Sequence, residues 1–155
     1  MKRYTIFNLY IRGSNQAPQA CHGLAALVKN APLMSKEAKA LLDSWLENSM
    51  IEVMLQGQMH DQMEELYAAL AGIPELPVAK FNESKEALMG ACTVVTFVAN
   101  ERIVSGINYA RFNGLHHGNI LKVLSSASLE QLCIDRPFSD NELKVIKTVF
   151  ALPLA

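Results

Sequence analysis

Residues 4 to 11 carry apolar, aromatic and β-branched side chains at both parities, with Thr5, Phe7, Leu9 and Ile11 alternating with Tyr4, Ile6, Asn8 and Tyr10. That pattern predicts a first strand buried mostly on both faces. Arg12-Gly13-Ser14-Asn15 is turn chemistry, and Pro18 suits a first helical turn, so a helix is expected from about 18 to 30. Ser35 can cap a second helix in which Ala38, Leu41, Leu42, Trp45 and Leu46 share one face, and Asn48-Ser49 stops it. Met50 to Leu55 reads as a second strand, and Met59, Met63, Leu66, Tyr67 and Leu70 form the apolar stripe of a third helix. Pro77 to Phe81 makes a short third strand and Cys92 to Ala99 a strongly apolar fourth.

The order β-α-α-β-α-β-β predicts an α/β fold, a mixed four-stranded sheet flanked by helices, over residues 1–100. Residues 101–155 differ. Asn108, Asn113, Gly114, His116, His117, Gly118 and Asn119 make a polar, turn-prone stretch, followed by a helix-like segment over 119–126. Ser128 with Gln131 and Ser139 with Glu142 match capping boxes, and Phe138 with Leu143 supplies a hydrophobic staple, so a terminal helix is expected from about 140 to 150. This mainly helical extension packs on the domain or on a partner. The apolar faces of Ile120, Val123 and Leu124 and of Leu143, Ile146 and Phe150 permit a homodimer.

Composition narrows the class. At 155 residues, half of them hydrophobic, the chain is long enough for one core and short for two. The formal net charge is -1, with eight Lys/Arg against ten Asp/Glu in residues 1–100 and no basic tail. This argues against nonspecific binding to long nucleic acid. Cys21, Cys92 and Cys133 are odd in number and outside any CxxC pair, which suggests neither a disulfide framework nor a zinc site and fits a reducing compartment. His116 and His117 are adjacent, point in different directions and have no carboxylate or thiol nearby in sequence, so no metal and no other cofactor is expected. No run reaches the roughly 18 apolar residues that span a bilayer, and the N-terminus begins a strand rather than a signal core. The expectation is a cytoplasmic protein with no membrane partner.

The candidate chemistry starts at Pro18-Gln19-Ala20-Cys21-His22. Gln19 and His22, at i and i+3, share a helix face beside the end of the first strand. In α/β proteins sites are often built there, because first-turn amides favour negative charge. Further along stand Leu41 to Asn48 with Trp45, then Ile51 to Leu55, then Leu76-Pro77-Val78-Ala79-Lys80-Phe81, the loop Asn82-Glu83-Ser84-Lys85-Glu86, and Thr93-Val94-Val95-Thr96-Phe97-Val98.

In type and order these passages, over about residues 4 to 100, resemble the type II peptidyl-tRNA hydrolases, the archaeal and eukaryotic kind. That family leads a strand through a lysine- and glycine-bearing loop into an Ala-Gln-x-x-His helix, and has a Trp-bearing helix, a Leu-Pro-Val strand start and a Thr-Val-rich last strand. The departures fall where its chemistry lies. The cationic loop is shortened to Arg12-Gly13-Ser14-Asn15-Gln16, and Asn82 stands at the family's Asp, with Lys85 roughly at its Arg. A one-residue slip in that loop puts Glu83 at the Asp position instead.

The resemblance implies a hydrolase of the ester between a peptide's C-terminus and the tRNA 3' ribose, acting in translation. Its catalytic set would be Gln19, His22, Asn82, Glu83 and Thr93, and Arg12, Ser84 and Lys85 would bind substrate. Gln19, His22, Ser84 or Thr93 would hold the water or the oxyanion, and Arg12 and Lys85 the phosphates. Asn82 can orient a water but cannot take its proton, which leaves His22 or Glu83 as base. The alternative is an inactive binding module of the same fold that holds a tRNA acceptor end or a protein partner.

Overall fold

The computed structural model describes residues 1–155. In chain order the elements are β1 (Lys2–Asn8), α1 (Gln16–Asn30), α2 (Lys36–Asn48), β2 (Glu52–Gln58), α3 (His60–Ala71), β3 (Val78–Asn82), α4 (Lys85–Leu88), β4 (Cys92–Ala99), α5 (Glu101–Phe112), α6 (Ile120–Ser126), α7 (Leu129–Leu132) and α8 (Asp140–Ala151). The protein is α/β, with one mixed sheet in the order β2-β1-β4-β3. β1 pairs parallel with β2 and antiparallel with β4, and β3 pairs antiparallel with β4. β1, β2 and β3 therefore end at one edge of the sheet, where β4 begins.

Alternation divides the strands between two helical layers. On one face Tyr4, Ile6, Val95 and Phe97 join one core with residues of α3, α5 and α8, among them Leu66, Ile107 and Ile146. On the other face Phe7 and Val94 pack with Ala20 of α1, and Val98 packs with Leu42 and Trp45 of α2. α1 lies close on β4: a Cβ at Gly23 would meet Thr96 Cγ2 at 3.1 Å. Trp45 fixes α2 against β1 and β2, lying 5.2 Å under the buried Arg3 guanidinium and donating its Nε1–H to Ile51 O at 3.0 Å. Arg3 in turn pairs with Glu52. No helix is long and apolar enough to cross a membrane.

Several boundaries differ from the sequence reading for local reasons. β1 stops at Asn8, three residues early, because Asn8 Oδ1 accepts from Tyr10 N at 3.2 Å and turns the chain. α1 begins at Gln16, leaving Pro18 inside the first turn, where its missing N–H is not needed. Met50 is left-handed, with φ of 43°, and its N–H closes the end of α2 on Trp45 O, so β2 starts at Glu52 and runs on to Gln58.

α5 occupies the stretch that turn-prone residues had obscured. Ile103, Gly106, Ile107 and Ala110 are its buried face, and a Cβ at Gly106 would meet Ile146 Cδ1 at 2.5 Å. The glycine there permits close approach of α5 to α8 rather than breaking the helix. Both capping boxes form, and α8 starts at Asp140. Glu142 is fully buried, taking Arg102 Nε at 2.9 Å, Arg136 Nη1 at 3.0 Å and Ser139 N at 2.7 Å, which ties α8 to α5. Ile120, Leu124 and Ile146 belong to the chain's own core. The apolar faces read as a homodimer surface are thus turned inward. The edge of β2 is covered as well, since Gln56 N donates to Pro153 O and Ala155 N to Met54 O.

Candidate functional site

The edge where three strands end carries two bulges. Between the pairs Phe7–Gln56 and Asn8–Gln58, Gly57 is the extra residue of β2, and its φ of 113° is one that side chains rarely adopt. Between Phe81–Val94 and Asn82–Cys92, Thr93 is the extra residue of β4. A bulge re-aims the side chain it carries. Cys92 and Val95 consequently both face the core beneath α3, while the Thr93 hydroxyl turns to α1.

There it meets Gln19. The Gln19 amide donates through Nε2 to Glu83 Oε1 at 2.6 Å, and its Oε1 accepts from the Thr93 hydroxyl at 2.8 Å. Donor and acceptor accounting fixes this chain of protons: an ionised carboxylate only accepts, so the amide nitrogen must face Glu83 and the amide oxygen must face Thr93. The Thr93 proton is then committed to Gln19, with Phe81 O a second acceptor at 3.3 Å. Thr93 can accept from a water but has no proton left for an oxyanion. Gln19 keeps one Nε2 hydrogen free. Gln19 and Thr93 are buried, whereas Glu83 is half-buried and reachable.

The hydrogen bonds of Asn82 and Glu83 distinguish the two residues of this loop. It is Glu83 that reaches α1. Asn82 Nδ2 donates to Gly90 O at 2.9 Å. Glu64 is held below the usual carboxylate range by its bond from Lys80 Nζ at 2.5 Å, against the opposing effect of burial. Burial pushes the Cys92 thiol up to about 11.

His22 shares the α1 face with Gln19, as its spacing predicts, but faces a different partner. Its ring lies 4.4 Å from the Phe81 ring, so the i, i+3 pair on α1 is matched to Phe81 of β3 and to Glu83 just past the end of that strand. His22 makes no hydrogen bond to Gln19, Glu83 or Thr93. It lines an open cleft of about 350 Å³ with Lys29, Lys80 and Phe81.

The expected substrate-binding groups are held by local backbone contacts or face solvent. Ser84 is the N-cap of α4, its Oγ accepting from Ala87 N at 3.1 Å. Lys85 is exposed on that one-turn helix, and Arg12 is exposed with Nε donating to Leu9 O at 3.1 Å. No group of three or more His, Cys, Asp or Glu is placed to hold a metal ion.

Two features escaped the sequence reading. An apolar groove of about 300 Å³ runs beside Thr93, between Tyr10 and Ile11 on one side and Leu88 and Met89 on the other. Asn8, buried at the end of β1, donates from Nδ2 to Cys92 O at 2.9 Å. An amide inside the strand-like run was the available signal, since a buried amide needs partners.

The fold and the site define an α/β protein with a carboxylate-amide-hydroxyl chain at the ends of its strands. No protein-family model matches this chain, and no curated protein matches it.

Proposed function

We propose that this chain hydrolyses the ester between a peptide's C-terminus and the 3' ribose of tRNA, in the manner of the type II peptidyl-tRNA hydrolases it resembles, and so serves translation in the cytoplasm. The observation that carries the proposal is the 2.6 Å bond by which Gln19 orients Glu83 at the strand ends. Glu83 accepts a proton from a bound water, whose oxygen attacks the ester carbonyl. The free Nε2 hydrogen of Gln19 is the donor offered to the developing oxyanion. Collapse breaks the bond to the ribose oxygen, which takes the proton back from Glu83. Thr93 holds Gln19 in register. Arg12 and Lys85 are the cations flanking this edge for the acceptor-end phosphates.

A second reading is a binding module of the same fold, gripping a tRNA acceptor end or a protein without cleavage. It is favoured by the commitment of the Thr93 proton to Gln19 and by the exposure of Arg12 and Lys85, neither of which bonds to Gln19, Glu83 or Thr93. The two part on one experiment: peptide release from an N-blocked aminoacyl-tRNA by the purified protein, with tRNA retention measured beside it. Release under conditions where enzyme limits the rate supports the hydrolase. Retention without release supports the module.

A further inference from the structure

Cys92, where β4 begins, has both backbone groups held by side chains. Its N–H donates to Nδ1 of His60 at 3.1 Å, and its carbonyl accepts from Asn8 Nδ2 at 2.9 Å. The next residue is Thr93, the bulged one, where the ladder to β3 is interrupted. A ring nitrogen that accepts an amide hydrogen carries no proton of its own, so this bond exists only with the imidazole neutral and its proton on Nε2. Asn8 has no such condition.

We propose that His60 is a positioning residue of the strand-end site: its unprotonated Nδ1 holds the Cys92–Thr93 segment so that the Thr93 hydroxyl reaches Gln19. Protonation of His60 places a second N–H against the Cys92 N–H and releases that grip. Asn8 then holds Cys92 alone, and the bulge is free to relax.

Among the charged neighbours the Glu64 carboxylate lies close enough to feel a charge on His60, so it draws a protonated ring toward itself rather than toward the Cys92 amide. Glu64, one turn further along α3, and Lys80 of β3 are paired with each other at 2.5 Å. The Cys92 thiol, from β4, stays protonated because burial pushes it up to about 11. His60 is exposed at the start of α3, so bulk solvent can deliver the proton.

The structural part stands without the hydrolytic reading, and only its effect on turnover rests on that reading. Amide nuclear magnetic resonance of the full chain tests it, with His60→Asn and His60→Ala beside the natural sequence, from about pH 8 to about pH 5, where imidazoles exchange a proton. Asparagine offers an acceptor near the place of Nδ1 and does not titrate. In the natural protein the Cys92 and Thr93 amide shifts should follow the His60 ring through its titration, with the hydrogen-exchange protection of Cys92 falling about tenfold. In His60→Asn both should stay flat and protected. His60→Ala, if it folds, should resemble the acid form throughout, and His60→Asn carries the test if it does not.

Where turnover is present, kcat should lose its His60 component on the acid side in His60→Asn, while KM is unchanged. A Cys92 amide that ignores the His60 titration overturns the proposal. A Cys92 amide that titrates in a protein without hydrolytic activity overturns only the hydrolase.

Discussion

Gln19 on α1 and Glu83 beyond β3, 64 residues apart in sequence, are joined by a 2.6 Å hydrogen bond. Successive turns of α1 present Gln19 and His22 to Glu83, just past the end of β3, and to Phe81 within it. Loss of the third member exposes the coupling. Thr93→Val removes the hydroxyl and strands the Gln19 carbonyl oxygen in a buried site. A destabilisation of about 1–3 kcal/mol is expected from an unsatisfied buried acceptor, read by denaturant unfolding. Turnover should fall with it, because the Gln19 amide loses its fixed orientation.

Glu142 is the buried charge on which the α5–α8 contact rests. Burial alone would raise its pKa, but bonds from Arg102, Ser139 N–H and Arg136 outweigh that and hold it below the usual carboxylate range. A depressed folded-state pKa contributes stability that is present above the unfolded value, about 4.3, and is lost as pH falls through the folded value. Thermal midpoints measured from neutral pH downward should therefore begin to drop near pH 4. The acid loss should be smaller in Glu142→Ala. At neutral pH that variant should be about 1–3 kcal/mol less stable, since Arg102 loses its buried carboxylate and keeps only the exposed Asp135 and the carbonyls of Arg136 and Pro137.

The three thiols are free, with Cys21 and Cys133 exposed and Cys92 buried. Alkylation at neutral pH should therefore modify two sites in the folded protein and the third only on unfolding, because Cys92 is both inaccessible and held as a thiol. Mass spectrometry of the native and denatured protein counts them.

Gly106→Ala tests the close approach of α5 to α8. Alanine gains about 1 kcal/mol of helix propensity. Its methyl group would nonetheless collide with Ile146 Cδ1 at 2.5 Å and press on Phe138 Cζ at 3.1 Å. Overpacking of that kind costs about 1–3 kcal/mol, so a lower thermal midpoint is expected in spite of the better helix former.

The four strands, α1 to α3 and α8 were legible because each carries a clear hydrophobic period bounded by a cap or a turn. α5 was not: Asn108 and Asn113 read locally as part of a turn-prone stretch, and only the side chains of α8 explain why Gly106 belongs in a helix there. The pairing of Gln19 with His22 on one face was legible for the same periodic reason. Which of Asn82 and Glu83 faces α1 was not, because the answer depends on where β3 ends and on a bulge in β4 that no local pattern marks. The roles of Asn8 and His60 depend on contacts across 84 and 32 residues, beyond the reach of any helical or strand period.

The most direct test of the central claim is the rate of peptide release from an N-blocked aminoacyl-tRNA by Glu83→Gln and Asn82→Asp variants, each compared with the natural protein. If Glu83 is the base oriented by Gln19, Glu83→Gln should lose at least about 100-fold in kcat with the thermal midpoint little changed. Asn82→Asp, whose side chain lies on the Gly90 side, should change the rate little and should not restore release when combined with Glu83→Gln. Release that survives in Glu83→Gln, or a double variant rescued by the new aspartate, would contradict the account and return the carboxylate role to position 82.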